Sequence, residues 1–391
     1  MITVAEARQL INQQAIFGKK RTSPLSEAAG LVLAASVLSP IDTPPFDQSA
    51  MDGYAFSFRD WDGSSSLVVV GEVKAGQDYP HLIKTRDALR IFTGAPLPAG
   101  TDTVVIQEKI ALEENRLSIS DDRLVLGSNV RPVGSQTKKN DLVLEAGQLL
   151  TPAAVSFLAS LGIEAVDVFT KPLVSIIVTG DELAQPGTAL SEGMIYESNA
   201  ASLVAALHQL HIKPTAVERI KDNRNSISET IKQNRSSDML ILTGGISTGD
   251  HDFVKAALED CGVKEIFHSV KQKPGKPFYF GIKDHMLIFA LPGNPAAVLT
   301  CFYEYIAPAI GQFTRQDHFK KTTKILAEEF SKKPGMTVFL KGKTNGNEVI
   351  ILADQESYKM NSFAVADCLI ELEPEKDVYL KGEQVDVRII V

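Results

Sequence analysis

The chain has 391 residues, with 40 Lys and Arg against 48 Asp and Glu and a formal net charge of −8. At about 150 residues per domain that length excludes a single small domain and implies about two to four. Hydrophobic residues make up 44% and charged residues 23%, which excludes wholesale disorder, and the acidic balance argues against a nucleic-acid binder while leaving room for a locally positive pocket.

The elements follow in chain order. Thr3 and Glu6 form a T-x-x-E capping box ahead of Val4, Ala7, Leu10 and Ile11 at helical spacing. A short helix is predicted near Ser26–Leu33. The segment Asp42–Tyr54 carries paired prolines and is read as neither helix nor central strand. From about 55 to 140 the pattern is β, with runs at Leu67–Val73, Thr103–Ile110 and Arg116–Ile119. Thr151-Pro152 opens a helix that Gly162 stops.

Between 172 and 310 strand and helix alternate: strands Leu173–Val178, Ala216–Ile220, Met239–Leu242 and Ile288–Leu291, helices Asn199–Leu210, Ser226–Asn234, Asp252–Cys261 and Pro295–Ile310. That order predicts right-handed crossovers and a parallel sheet with helices on both faces. A polar stretch, 311–322, is the expected linker. Beyond it β runs return at Val338–Lys341, Val349–Leu352, Cys368–Leu372, Asp377–Leu380 and Val385–Val391, with a hairpin signal at Asn345-Gly346.

No apolar run approaches the ~18 residues of a membrane span, and the N-terminus lacks a signal-peptide pattern. Cys261, Cys301 and Cys368 are scattered, which predicts structural thiols in a reducing, cytoplasmic location and no disulfide framework.

Ligands of open α/β sheets bind beyond the carboxyl ends of the strands. Three loops have that position here: Thr179–Glu182, Thr243–Asp252 and Pro292–Pro295. In the second, Gly244, Gly245 and Gly249 allow close backbone approach to an anion, and the loop matches neither a Walker A nor a G-x-G-x-x-G pattern. Asp250 and Asp252, with Asp181 and Glu182 next door, are hard oxygen donors of the kind Mg²⁺ accepts; helix capping is the alternative. Lys273-Pro-Gly-Lys-Pro277 sets two cations in a stiff turn that suits an oxyanion or is simply solvated. Asp52 and Thr93, each in a loop, are unremarkable turn residues when taken alone.

Taken together these segments are specific. Phe46-Asp-Gln-Ser-Ala-Met-Asp-Gly-Tyr-Ala55, Phe92-Thr-Gly-Ala-Pro-Leu-Pro98, Thr179-Gly-Asp-Glu-Leu183, Gly244–Asp252, Lys273–Pro277 and Leu291-Pro-Gly-Asn-Pro295 occur in one order. Over essentially its whole length the chain resembles the molybdopterin molybdenumtransferase (MoeA) family, to which the gephyrin E domain is related.

The resemblance implies a multidomain α/β and β protein. Its parts would be an N-terminal dimerisation region (1–54 and 141–171), a β insertion domain (55–140), an α/β molybdopterin-binding domain with a parallel sheet (172–312) and a C-terminal β barrel (323–391). It implies a cytoplasmic homodimer with its cleft between subunits, a molybdopterin adenylyltransferase as candidate partner, and no role for nucleic acid or membrane. The implied activity is insertion of molybdate into adenylylated molybdopterin with release of AMP; a pterin carrier or sensor with weakened catalysis, or a gephyrin-like scaffold, are the alternatives.

By motif, the resemblance assigns catalysis to Asp52, Thr93, Glu182, Asp222 and Asp252, and Mg²⁺ to Glu182, Asp250 and Asp252. It assigns substrate binding to Gly244, Gly245, Ser247, Gly249, Lys273, Lys276, Pro292, Pro295, Lys341, Ser357 and Ser362. Two positions depart from the family pattern: Gln136 stands where an acid is usual, and Lys341 where an Arg is frequent. A lysine there supplies a point charge and not a bidentate fork.

Overall fold

The computed structural model describes residues 1–14, 16–246 and 253–391. The chain divides into two compact units, one of Met1–Arg21, Gly30–Val32 and Phe169–Val391, the other of Thr22–Ala29 and Leu33–Val168.

The smaller unit is built on a six-stranded sheet in the order Thr103–Ile106, Gly53–Phe56, Asp87–Ile91, Leu67–Val73, Arg116–Ile119, Ile110–Glu113. Gly53 and Tyr54 therefore lie in an interior strand, against the sequence expectation for Asp42–Tyr54. The prolines sit at 44 and 45, far enough upstream to leave this strand its donors. Its side chains are buried on both faces, Tyr54 and Phe56 with Leu67 and Leu117 on one, Ala55 with Leu89 and Val104 on the other. The helix expected at Ser26–Leu33 is only Leu25–Ala28, ended before Gly30, whose φ is +77°. The helix Pro152–Ser160 starts as its sequence predicts, with Thr151 Oγ1 accepting from the Ala154 N–H at 3.2 Å.

In the larger unit a six-stranded sheet runs in the order Ala216–Ile220, Val174–Thr179, Met239–Thr243, Met286–Leu291, Pro277–Lys283, Lys264–Ser269. The first four are parallel. The last two are antiparallel additions that the sequence pattern did not mark. Alternate residues of the central strands feed two cores. Ile176, Ile241 and Phe289 meet Leu203, Leu207 and Val298 on one face, while Ile177, Leu240 and Ile288 meet Ile227, Ile231 and Val254 on the other. Helices thus cover both faces, as a parallel sheet requires.

Two helices differ from expectation. Arg224–Gln233 begins two residues before Ser226, because Asn223 is the N-cap and accepts from the Ser226 N–H at 2.9 Å. The helix predicted over Pro295–Ile310 comprises Pro295–Cys301, a π-helical Phe302–Ile306 and Ala307–Thr314. It consumes the start of the expected linker, whose end joins strand Lys321–Leu326; the connection is 315–320.

The last strands form a closed five-stranded barrel: Thr337–Asn345 pairs with Glu348–Ile351, that with Lys321–Leu326, that with Gln384–Ile389, that with Cys368–Leu372, and that back with Thr337–Asn345. Leu326, Leu340, Val349, Ile370 and Val387 fill it. Closure pairs each of these strands on both sides, and Gln272–Lys273 adds in parallel beside Thr337 and Val338. No helix among the described residues is long and apolar enough to cross a membrane.

Candidate functional site

The register of the parallel strands brings three polar loops to one edge. Thr179 pairs with Ile220, Val178 with Thr243, and Thr243 with Leu291, so Gly180–Glu182, Lys221-Asp222, Gly244-Gly245 and Pro292–Asn294 leave the sheet side by side. Gly244 and Gly245 have φ of +91° and +62°; a Cβ on Gly244 would lie 2.0 Å from the Thr179 carbonyl oxygen, and one on Gly245 2.7 Å from Asp222 Oδ1. Glycine is required at both places by the backbone and its neighbours alike. Ser247, Gly249, Asp250 and Asp252 lie outside the described residues.

Asp222 is half-buried and accepts from the Thr179 hydroxyl at 3.0 Å. Burial pushes its carboxyl above the ordinary range; the Thr179 bond opposes that, and the charges of Asp181 and Glu182 add to it. This edge therefore gathers three mutually repelling acids, of which Asp181 and Glu182 are exposed. Among the described residues no group of three or more His, Cys, Asp or Glu side chains is arranged to hold a metal ion.

A cavity of about 350 Å³ is lined by Lys273, Lys276, Pro292, Asn294, Gln355 and Ser357, among others. Four residues singled out from sequence, Lys273, Lys276, Pro292 and Ser357, thus share one cavity. Both lysines are exposed. Asn294 caps nothing with its side chain; its Nδ2 donates to Ser357 Oγ at 3.0 Å, while the Ala296 N–H reaches the Ser357 carbonyl at 3.2 Å. Pro295 opens the following helix and is not among the residues lining the cavity.

Lys341 and Ser362, expected from the sequence to bind substrate, both make bonds within the C-terminal domain. Lys341 is buried, and its Nζ donates to the carbonyls of Asp354 at 2.6 Å, Lys359 at 3.0 Å and Glu356 at 3.4 Å. Burial lowers its pKa. Its three N–H donors thus face main-chain carbonyls of one loop. Ser362 is also buried and donates to the Asp354 carbonyl at 2.7 Å. Both residues fasten the loop that carries Ser357.

In the smaller unit, Asp52 precedes strand Gly53–Phe56 and Thr93 follows strand Asp87–Ile91. These strands pair antiparallel with Gly53 opposite Ile91, which sets the two residues together. Asp52 Oδ1 accepts from both the Thr93 N–H and the Thr93 hydroxyl, each at 2.8 Å. Those bonds, with help from Arg90, hold the Asp52 carboxyl below the usual range. Gln136 is exposed, in a turn ordered by main-chain bonds from Gly134, Gln136 and Thr137 to the carbonyls of Pro44 and Thr43.

The comparisons with known proteins fall on the same segments. Residues 2–162 match the MoeA N-terminal region (domain I and II), 175–312 a probable molybdopterin binding domain, and 323–390 the MoeA C-terminal region (domain IV). The chain is 35% identical over 397 residues to the molybdopterin molybdenumtransferase of Haemophilus influenzae, covering 99% of this chain and 98% of that one. The chain belongs to the MoeA family. The relative from Nostoc is 38% identical over 292 residues, covering 72% of this chain and 67% of its own. The solved MoeA protein of Pyrococcus horikosii superposes with a TM-score of 0.86 at 26% identity, covering 100% of this chain and 99% of that one. Like its MoeA relatives this protein is an enzyme, a transferase of molybdenum cofactor biosynthesis.

Several residues that organise the site escaped sequence reasoning. Asn199, read only as a helix start, is buried and donates from Nδ2 to Thr243 Oγ1 at 3.0 Å and to the Gly293 carbonyl at 2.9 Å; Thr243 Oγ1 in turn donates to the Pro292 carbonyl at 3.1 Å. This chain of bonds locks two strand-end loops together. Asn at a helix start was the only local signal, and it pointed to capping.

Proposed function

We propose that this protein inserts molybdate into adenylylated molybdopterin and releases AMP. The observation that carries the reading is the one cavity that gathers Lys273, Lys276, Pro292, Asn294 and Ser357, with Pro292 and Asn294 leaving the same edge of the sheet as Asp181, Glu182 and Asp222. Molybdate is a tetrahedral oxyanion, and two ammonium groups with a serine hydroxyl are suited to it.

The acids act on the other half of the substrate. Cleaving a phosphoanhydride builds negative charge on both phosphates, which the lysines oppose directly. Burial first, and then the charges of Asp181 and Glu182, raise the Asp222 pKa; hard oxygens gathered at one strand edge favour a nearby cation such as Mg²⁺. We assign the ion to Glu182, with Asp250 and Asp252, and Asp222 as neighbour. When bound, Mg²⁺ supplies charge neutralisation at the anhydride. Gly244 and Gly245 keep the backbone low enough for the phosphates to approach. Asp52, kept ionised by Thr93, serves as the acid of the second cluster. The soft sulfur ligands that receive molybdenum belong to the pterin, so the protein needs no cysteine cluster. We place this reaction in a cytoplasmic homodimer supplied by an adenylyltransferase.

Incubation with adenylylated molybdopterin, Mg²⁺ and molybdate is expected to release AMP only when both ions are present. AMP release at the same rate without molybdate would reduce the protein to a hydrolase, and none at all would reject the reading.

A further inference from the structure

We propose that buried Gln272, held by Tyr305, is a positioning residue that fixes the Lys273–Lys276 turn in the geometry that receives an oxyanion. The inference rests on the reading above for the identity of the anion, but its structural part does not.

The turn is short and carries two exposed ammonium groups; its prolines restrict its own backbone but do not fix where it sits against the body of the protein. Its interior is occupied instead by one amide. Gln272 is fully buried, and its Nε2 donates to the carbonyls of Pro274 and Gly275, each at 3.1 Å. Its Oε1 accepts from the Tyr305 hydroxyl. Both amide N–H donors and the amide oxygen are therefore in use. Gly275 has φ of +86°, and a Cβ there would fall 2.7 Å from both Gln272 Nε2 and Cys301 Sγ. The turn is packed down onto the amide and the thiol. Burial pushes that thiol up to about 12, so it stays a neutral packing group.

Only an amide meets this set of demands. A Glu of equal length lacks the two donors that the carbonyls need, and a Leu lacks donor and acceptor alike. Tyr305 comes to the amide because it lies in the π-helical Phe302–Ile306, where the widened turn re-aims consecutive side chains. Tyr303 reaches Gln209, Glu304 reaches Arg8 and Arg388, and Tyr305 reaches Gln272. The Tyr305 ring is wedged against Phe278 with centroids 4.7 Å apart. The support behind the lysines is thus a buried aromatic–amide pair on rigid elements.

The test is a double-mutant cycle on Gln272→Leu and Lys273→Ala, read by calorimetric binding of molybdate alone and by hydrogen exchange of residues 272–277. Gln272→Leu is expected to speed exchange in that segment and weaken molybdate binding about tenfold. Added to Lys273→Ala it should cost clearly less than tenfold, because one of the two lysines it positions is gone. Tyr305→Phe keeps the ring and the fold, and should loosen the same segment by a smaller factor. Unchanged exchange in both variants, or losses that multiply through the cycle, would overturn the positioning role. A wild-type protein that binds molybdate yet releases no AMP would overturn the proposed reaction and leave this inference standing. One that binds neither molybdate nor pyrophosphate would overturn the inference with it.

Discussion

A carboxylate that accepts two hydrogen bonds from one threonine stays ionised further into acid than a free one. Asp52 is in that position, with the Thr93 main-chain bond the larger cause and its hydroxyl the next. If ionised Asp52 is the active form, the acid limb of kcat/KM lies below the ordinary carboxylate range. Thr93→Val removes the hydroxyl bond and keeps the main-chain one, so the limb should move part of the way up toward that range. A profile of AMP release against pH for the two proteins checks this; coincident acid limbs would mean that another group sets the limb. Side-chain chemistry of this kind was legible in the sequence only where a residue faces solvent. Lys273 and Lys276 lie exposed in the cavity, as a stiff Pro-Gly turn leads one to expect. Lys341 has the same charge and a strand pattern around it, yet its ammonium is turned inward onto three carbonyls. Nothing local distinguishes the two cases, because the loop that captures Lys341 lies 13 to 18 residues further on.

At the scale of elements, periodicity was informative where one force dominated. Three of the parallel strands, Val174–Thr179, Met239–Thr243 and Met286–Leu291, are buried, mainly apolar runs because both faces are covered; the edge strand Ala216–Ile220 alternates between half-buried and exposed residues. The antiparallel pair Lys264–Ser269 and Pro277–Lys283 was missed: the first is half exposed and shows no clean run, and the second, although its Phe278–Gly281 are buried, follows directly on the lysine turn. The π-helical turn was equally hidden, since its residues FYEYI continue an apolar helix pattern. Its Glu304 is buried and accepts from Arg8 and from Arg388 at 2.9 Å, joining the N-terminal helix to the barrel. Glu371 extends this network. Burial alone would raise its carboxyl, but bonds and charge from Arg8 and then Lys321 outweigh that and carry it below the ordinary value. A carboxyl lowered on folding contributes stability above its unfolded pKa and loses it as pH falls through the folded one. Glu371→Gln should therefore lower the urea midpoint at pH 7 and leave a shallower decline between pH 5 and 3. Glu304→Ala should be costlier, about 3–5 kcal/mol, since it takes the buried carboxylate from Arg388 and leaves Arg8 with Glu371. Urea titrations across pH read both. Parallel declines for wild type and Glu371→Gln would show that this carboxyl does not carry the acid sensitivity.

For the whole molecule, the candidate acids form two sets, Asp52 with Thr93 in one compact unit and Glu182 with Asp222 in the other. Each set is held by its own strand pairing, Gly53 opposite Ile91 and Thr179 opposite Ile220, so damage to one need not disturb the other. In the homodimer we propose, a cleft takes one set from each subunit, which turns the separation into a complementation test. Asp52→Asn and Asp222→Asn each remove a carboxylate while keeping size, and each homodimer should be nearly inactive. Mixed by co-expression, random pairing makes about half the dimers mixed, and each of those has one cleft with both acids intact, so about a quarter of wild-type activity should return. The balance of charge supports the choice of Asn, because Asp52 is exposed and its loss leaves no buried donor unpaired. Recovery near that quarter, with light scattering at twice the chain mass, fits a shared cleft. No recovery from dimers of that mass would place both sets in one subunit, and full activity in a monomer would remove the dimer from the mechanism.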